Sequence, residues 1–547
     1  GVLARLAEMG LLRRVEVIST VSGGSIIGAL YYIQVKQLLE GKPDSRITDA
    51  DYVALVQRIE RDFFAAVQRN FRMRTFLNPM KNFRMSLANY SRSDRIGELY
   101  DEMLYRPAIA PGRATPVQMR ELLIHPKGDK PDFYPRDDNP GRSAKVPILI
   151  LNATTLNTGH NWRFEASRMG EPPQGGRVAL DVDKNMRLRR PPSYADITPL
   201  QQDIELGLAV AASACVPAIF HPLAISGLYD RGIRVQLVDG GVHDNQGVEG
   251  LLDERCTHFV VSDASGQMQD EREPSAWILP VILRSNDILM DRVREEELFG
   301  LFEAHKPALA FMHLRKGLSA EAIAWIDKNN KPAAPPKTER VPGMPSAQFG
   351  VNAEVQDRLS KVRTDLDSFT EIEANSLMLD GYLMSEPEVR SAFSPTTPVG
   401  SAPWSFLRIQ PWMANPTPKY LAHLEVAHER LFKVFRLSRP VTLFTGLVAV
   451  LIVWGVRGWL GRMVQAWWGS SISVKTLVMA AVVLALGFIP WASRTLKVLS
   501  FLRWPSEFLV RLVLRGALPA IGSIFVAIHL LIFDRLFLWL GRIQRLG

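Results

Sequence analysis

Ser22, Gly23 and Gly24 close the β-branched run Val15-Glu16-Val17-Ile18-Ser19-Thr20-Val21, and the apolar, alanine-containing stretch Ile26 to Leu39 that follows reads as a helix. A serine on a tight strand-to-helix turn is the arrangement of a nucleophile elbow, whose chemistry is acyl transfer. Such a turn asks for small neighbours, because a Cβ two places after the serine is expected to meet the returning backbone. Gly24 satisfies this for Ser22, whereas the equivalent place for Ser25 holds the bulky, β-branched Ile27. Ser22 is therefore the candidate nucleophile, with Gly23 and Gly24 as elbow and oxyanion support. The pattern G-x-S-x-G would also place glycine two residues earlier, where this chain has Thr20, and a lone S-G-G is equally at home in an ordinary loop.

A serine hydroxyl attacks poorly unless a base takes its proton. His243 lies in a glycine-rich loop, while His160, His221 and His258 are scattered, and each reads better as a surface or core histidine. Asp239 is the stronger candidate. It ends the run Val235-Gln236-Leu237-Val238 and is followed by Gly240 and Gly241, which let the backbone turn sharply and another group come close. A carboxylate can serve as base alone if desolvation raises its pKa toward working pH. Asp244 and Asp263 are weaker alternatives.

These residues need elements to carry them. Lys145 to Ala153 and Phe259 to Asp263 read as buried strands, and Leu206 to Phe220 as a small-residue helix, rich in alanine for close packing and stopped near Pro217. Strand, helix and strand in alternation predict an α/β fold, a mainly parallel sheet with helices on both faces. In such sheets active groups gather beyond the carboxyl ends of strands, and Ser22, Asp239 and Asp263 would all lie there. Residues Gly1 to Gly10 read as a helix that the chain enters without a Met, so a segment upstream is expected. Asp51 to Asp101 reads as a helical covering subdomain, or as a lipid-facing cap. The amphipathic helix Lys361 to Met384 is expected to close a first domain at residues 1–385. Residues 386–428, rich in Pro, Ser and Trp, read as a linker or surface-lying segment.

Residues 429–547 differ in kind. From Glu429 onward 15 Lys/Arg face 3 acids, a balance of +12 against +9 for the whole chain, so everything upstream carries −3. The uncharged runs Val441 to Val456, Thr476 to Ser493 and Gly516 to Phe533 span 16, 18 and 18 residues, bracketed by arginines and tryptophans. A bilayer span takes about 20 residues, with a range of about 17–25. Two to three transmembrane helices are therefore expected, the alternative being a buried bundle of a soluble domain. The basic residues bracket apolar runs rather than forming an open patch, so the expected partner is a membrane surface and not nucleic acid. With 547 residues and a hydrophobic fraction of 47%, the chain can bury a sizeable core. Its 2 cysteines, Cys215 and Cys256, form no C-x-x-C pair, so neither a disulfide framework nor a zinc or redox site is expected.

Ser22-Gly23-Gly24, the stretch Ala212-Ser213-Ala214-Cys215-Val216-Pro217-Ala218-Ile219-Phe220, and Asp239-Gly240-Gly241 together resemble the three landmarks of the patatin-like phospholipases, over roughly Gly1 to Met384. The resemblance implies a serine–aspartate dyad hydrolase of lipid acyl esters, phospholipids or lysophospholipids, with no cofactor and no metal. Ser22 would form the acyl-enzyme, and Asp239 would be the base for its attack and for the later attack of water. The family's glycine-rich oxyanion loop would fall upstream of Gly1, and each donor in such a loop is worth on the order of 10²–10³ in rate. Residues 1–547 without that loop are therefore open to being inactive. The N–H of Gly23 could supply one donor at the positive end of the following helix. The expected protein is an integral membrane hydrolase held by its C-terminal region, its catalytic domain on the cytoplasmic side and membrane lipids both substrate and anchor. The alternative is a non-catalytic membrane scaffold or lipid-binding protein that keeps the fold. Head-group preference, acyl position and oligomeric state are not specified by the residues.

Overall fold

The structure, a computed structural model, describes residues 1–85, 90–173, 185–217, 219–265, 268, 270–318, 323–333, 349–393, 402–429, 433–468 and 518–547. The chain divides into two compact units. The first holds Gly1–Thr75, Tyr90–Arg430 and Leu538–Gly547, and the second holds Phe76–Asn89 and Leu431–Phe537.

The first unit opens with helix α1 (Val2–Glu8), stopped at Gly10, whose φ of +67° suits a residue without a side chain. Strand β1 (Val17–Val21) runs directly into α2 (Gly23–Gly41), whose Ile26, Ala29, Leu30, Ile33 and Leu39 are buried. Helix α3 (Arg92–Tyr100) starts from a capping box in which Ser91 and Asp94 satisfy each other's backbone N–H groups. Strand β2 (Ile148–Thr155) is buried along nearly its whole length, as its run of apolar residues predicts. It continues through the Gly159 turn into β3 (Asn161–Phe164), which pairs with β4 (Met169–Gly170). Helix α4 (Leu206–Ser213) is almost entirely buried against α3, with Gly97 and Gly207 letting the two backbones touch. It ends four places before Pro217, earlier than its composition suggests. Strands β5 (Leu223–Ser226) and β6 (Arg234–Asp239) form a hairpin, and α5 (Val248–Asp253) follows.

The principal sheet is six-stranded and mainly antiparallel, which corrects the mainly parallel sheet expected from element alternation. Among the described residues only β1–β2 is parallel within it, whereas β2–β3, β3–β4, β2–β6 and β5–β6 are antiparallel. The reason lies in the connections. The long crossover from β1 through α2 returns a parallel strand, but Gly159 and the Gly227 to Gly232 stretch, all three at positive φ where an extended turn reverses, make hairpins. Strand β7 (Phe259–Asp263) lies outside this sheet altogether, paired in parallel with β8 (Leu309–His313) in a two-stranded sheet. Between those two strands runs α6 (Ile278–His305).

The expected helix over Lys361 to Met384 is instead α7 (Glu371–Ala392), capped by Thr370 and Glu373, and preceded by a turn in which buried Arg363 bonds Glu373 and the Ala427 carbonyl. The stretch expected to be a linker is core in its described part: Trp404, Phe406, Ile409, Met413, Tyr420 and Leu424 are all buried. Trp404 donates to Glu8 at 2.8 Å, tying this stretch to α1. Composition misleads here because short Pro-broken helices carry aromatic anchors at irregular spacing. The last residues of the chain also belong to this unit, with Ile543 and Leu546 in its core and the Ile372 N–H bonded to the Gly541 carbonyl at 3.0 Å.

In the second unit, α8 (Arg439–Trp468) displays exposed Leu443, Phe444, Val450, Val453 and Trp454, and α9 (Leu518–Ile528) contains the start of the helical segment Gly522–Leu540. That segment has a mean hydropathy of 1.9 and is long and apolar enough to cross a membrane. The apolar part of α8, Arg439–Gly455, is shorter. Of the expected spans, Thr476 to Ser493 lies outside the described residues, as does Ala218 of the second landmark.

Candidate active site

The two candidate groups meet because of how three strands share one edge. Strand β1 pairs with Ile148 to Asn152 of β2 and runs parallel to it, ending with Val21 opposite Asn152. Strand β6 pairs with Ala153 to Thr155 and runs the other way, ending with Asp239 opposite Ala153. Both overlap the stretch of β2 that β3 occupies, Leu151 to Thr154, and a strand has only two edges, so β1 and β6 lie end to end on the other one. They run toward each other and stop at adjacent residues of β2. Ser22 follows one end and Asp239 is the other.

At that junction there is no room for side chains in the β6 turn. A Cβ on Gly240 would stand 2.5 Å from the Asn152 carbonyl oxygen and 3.2 Å from Val21 Cγ1. A Cβ on Gly241 would stand 2.7 Å from Asn245 Oδ1 and 3.3 Å from Met290 Cε of α6. Gly240 and Gly241 thus stand where β2 and α6 leave no space for a Cβ. Gly23 and Gly24 do not: a Cβ at either position would meet nothing within 4 Å. The collision argument for Gly24 fails because α2 leaves the turn in the open, with both glycines exposed. Their small size instead leaves clear space over Ser22, and their N–H groups head α2 in the turn that lacks intrahelical acceptors.

Ser22 itself holds φ 50° and ψ −125°, a left-handed region that a residue with a side chain enters only under constraint. Its N–H is bonded to both the carbonyl (3.2 Å) and the Oγ (3.1 Å) of Ser213, the last residue of α4. Thr20, the departure from the glycine pattern, is accommodated from the other side. A Cβ on Gly28 would stand 2.5 Å from Thr20 Cγ2, so the missing glycine of the strand is supplied one turn into the helix.

Asp239 is 2% exposed. Its Oδ1 accepts the Gly241 N–H at 2.8 Å, its N–H reaches the Cys215 carbonyl at 2.9 Å, and Thr154 Oγ1 donates to its carbonyl at 2.9 Å. Burial pushes the carboxyl up to about 6, with the Gly241 N–H and the Ser22 side chain pulling the other way. Among the described residues Oδ2 is buried and accepts no hydrogen bond. The Ser22 side chain thus lies close enough to the carboxyl to influence it, while Oδ2 takes no hydrogen bond. Tyr100 and Cys215 adjoin the same acid, and burial, together with its charge, raises both.

The other candidates are engaged elsewhere. Nε2 of His243 sits 3.3 Å from Glu249 and its Nδ1 3.2 Å from the Gly159 carbonyl. Burial would lower its pKa, but Glu249 outweighs that and leaves it raised. His160 faces Glu171, His258 contacts Thr257 and Phe393, and the His221 carbonyl accepts from Ser93 and Cys215. Asp244 caps α5 by accepting the N–H groups of Val248 and Glu249. Asp263, on the separate β7–β8 sheet, accepts from Ser265 and so is not a member of the β2 junction. In the sequence Ser213 is marked only by its place in the Ala212 to Phe220 landmark.

A serine on a strained elbow with a buried, half-satisfied carboxylate beside it is the kind of site that serine hydrolases build. Residues 1–252 match the family model of the patatin-like phospholipases, a domain that contains Ser22, Ser213 and Asp239. No curated protein matches the chain. The match ends within α5, so α6, α7 and the rest of the first unit lie beyond it.

Proposed function

We propose that this protein is a membrane-anchored lipid acyl hydrolase that cleaves carboxylic esters of phospholipids or lysophospholipids. The patatin-like phospholipase domain over residues 1–252 supports lipid ester hydrolysis as the class of reaction. The observation that carries the dyad is the end-to-end meeting of β1 and β6 on β2, which brings Ser22 beside a carboxylate whose Oδ2 has no partner among the described residues.

Ser22 Oγ attacks the ester carbonyl as Asp239 Oδ2 takes its proton, and the proton passes on to the departing alcohol or lysolipid. Water then attacks the acyl-enzyme with Asp239 again as base, regenerating the serine and releasing the fatty acid. The N–H groups at the start of α2 serve as the oxyanion donors in this reading. The apolar segment Gly522–Leu540 supports attachment to the bilayer that holds the substrate.

The test is hydrolysis of phospholipid and lysophospholipid vesicles by the full-length protein. Ser22→Ala and Asp239→Asn are each expected to lower turnover by at least about 10³-fold while His243→Ala does little. Near-normal turnover by either of the first two would remove the dyad, and a folded wild type inert on every acyl ester would favour the scaffold reading.

A further inference from the structure

The amide of Ser22 is the head of a directed chain of hydroxyls. Its N–H donates to Ser213 Oγ at 3.1 Å, and Ser213 Oγ lies 2.7 Å from Ser25 Oγ. Ser25 donates to Thr20 Oγ1 at 3.1 Å, and Thr20 donates to the Ile150 carbonyl of β2 at 3.2 Å. The far end settles every proton. A carbonyl can only accept, so Thr20 must donate to it and accept from Ser25; Ser25, having given its proton, must accept from Ser213; and Ser213 is left with its lone pairs toward the Ser22 N–H. Ser213 and Ser25 are both wholly buried, so no water competes for these bonds, and aligned bonds in such a chain strengthen one another.

We infer that Thr20, Ser25 and Ser213 are positioning residues for the nucleophile: their chain holds Ser22 in its strained conformation and so aims its Oγ at the ester. Thr20 then is the anchor of the elbow and no defect in it, its hydroxyl tied to β2 and its methyl filling the space that Gly28 leaves. The continuous β1–α2 elbow and the end of α4, nearly two hundred residues further on, are locked together by side chains that never touch substrate. This inference rests on Ser22 being the nucleophile.

The experiment uses the full-length protein in lipid vesicles, reading hydrolysis kinetics together with the rate at which a fluorophosphonate modifies Ser22. Thr20→Val keeps the shape and removes the hydroxyl. It is expected to lower kcat and the modification rate by about 10–10²-fold, the scale of a nucleophile displaced by a fraction of an ångström, with KM unchanged. Thr20→Ser, which restores the hydroxyl, recovers most of that loss. Ser25→Ala behaves as Thr20→Val does, and the Thr20→Val/Ser25→Ala double variant loses no more than either single one, because the chain acts as a unit. The pH profile keeps its midpoint, since the base is untouched. Full rates in Thr20→Val and Ser25→Ala, or losses that multiply in the double variant, would overturn the chain's role. Persistent modification of Ser22→Ala would instead overturn the dyad, so the two failures are distinct.

Discussion

Val21 and Asp239 pair with adjacent residues of one strand, Asn152 and Ala153, from opposite directions. The meeting of Ser22 and the Asp239 carboxylate is therefore a property of the sheet, and the two side chains are carried by strand ends rather than by adjustable loops. Because β2 is buried and bonded along both edges, the spacing between the two groups is as rigid as the core itself.

The crowding at this junction predicts opposite outcomes for two glycines. Gly240→Ala would press a methyl into the Asn152 carbonyl, where backbone must yield, and is expected to cost about 1–3 kcal/mol of stability together with activity. Gly24→Ala meets no atom and is expected to leave stability unchanged or raise it by up to about 1 kcal/mol through helix propensity. Thermal melts of both variants check this, and a Gly240→Ala protein melting like wild type would contradict the strand register.

The pH dependence follows from the raised carboxyl of Asp239. A base must be ionised, so kcat/KM is expected to rise with pH through a midpoint of about 6 and to level off above it. A midpoint near the ordinary aspartate range would mean that the base is a better-hydrated group.

The same shift has a stability consequence of the opposite sense. A carboxyl whose folded pKa stands above its unfolded value stabilises the fold while protonated, below its unfolded pKa, and that contribution is lost as pH rises through about 6. The cost at pH 8 is up to roughly 3 kcal/mol, at 1.36 kcal/mol per pKa unit. Asp239→Asn abolishes this titration. Denaturation of wild type and variant at pH 5 and pH 8 is expected to show the wild type losing more stability across the interval. The difference isolates Asp239 from Asp380, whose burial pushes it to about 7. Equal pH dependence in both proteins would place Asp239 in contact with water.

The C-terminus supplies a further prediction. Ile543 and Leu546 lie in the core of the first unit, and Gly541 accepts the Ile372 N–H. Cutting the chain at residue 435 therefore removes core as well as the apolar helices, and is expected to give an aggregating product. Replacing residues 431–537 with a flexible linker keeps the last turn and is expected to give a soluble, folded unit. Carbonate washing of membranes should leave the intact chain in the pellet and release the linker version. Extraction of the intact chain would contradict spanning by Gly522–Leu540.

How far the sequence discloses the site depends on which contacts are local. The elbow is legible because Val17 to Leu39 is a strand, a serine and a helix in one continuous run, and Asp239 is legible because its glycines follow it directly. The sheet's sense is not, since a turn at Gly159 and the stretch between Gly227 and Gly232 do not by themselves say which strands pair across them. Ser213 and Ser25 escape for the same reason: their meaning lies in bonds between α4, α2 and β1 that no spacing encodes. Residues 402–429 mislead by composition, because Pro-broken helices can bury aromatic residues without any periodic pattern. The reason assigned to Gly24 is wrong because the elbow opens to solvent instead of folding under the returning chain.

The most direct measurement is peptide mass spectrometry on the full-length, lipid-reconstituted protein after exposure to a fluorophosphonate. A single adduct on Ser22 is expected, formed faster as pH rises through about 6 and slowed by at least about 10²-fold in Asp239→Asn. An adduct on another residue, or an unchanged rate at Ser22 in Asp239→Asn, would contradict the dyad.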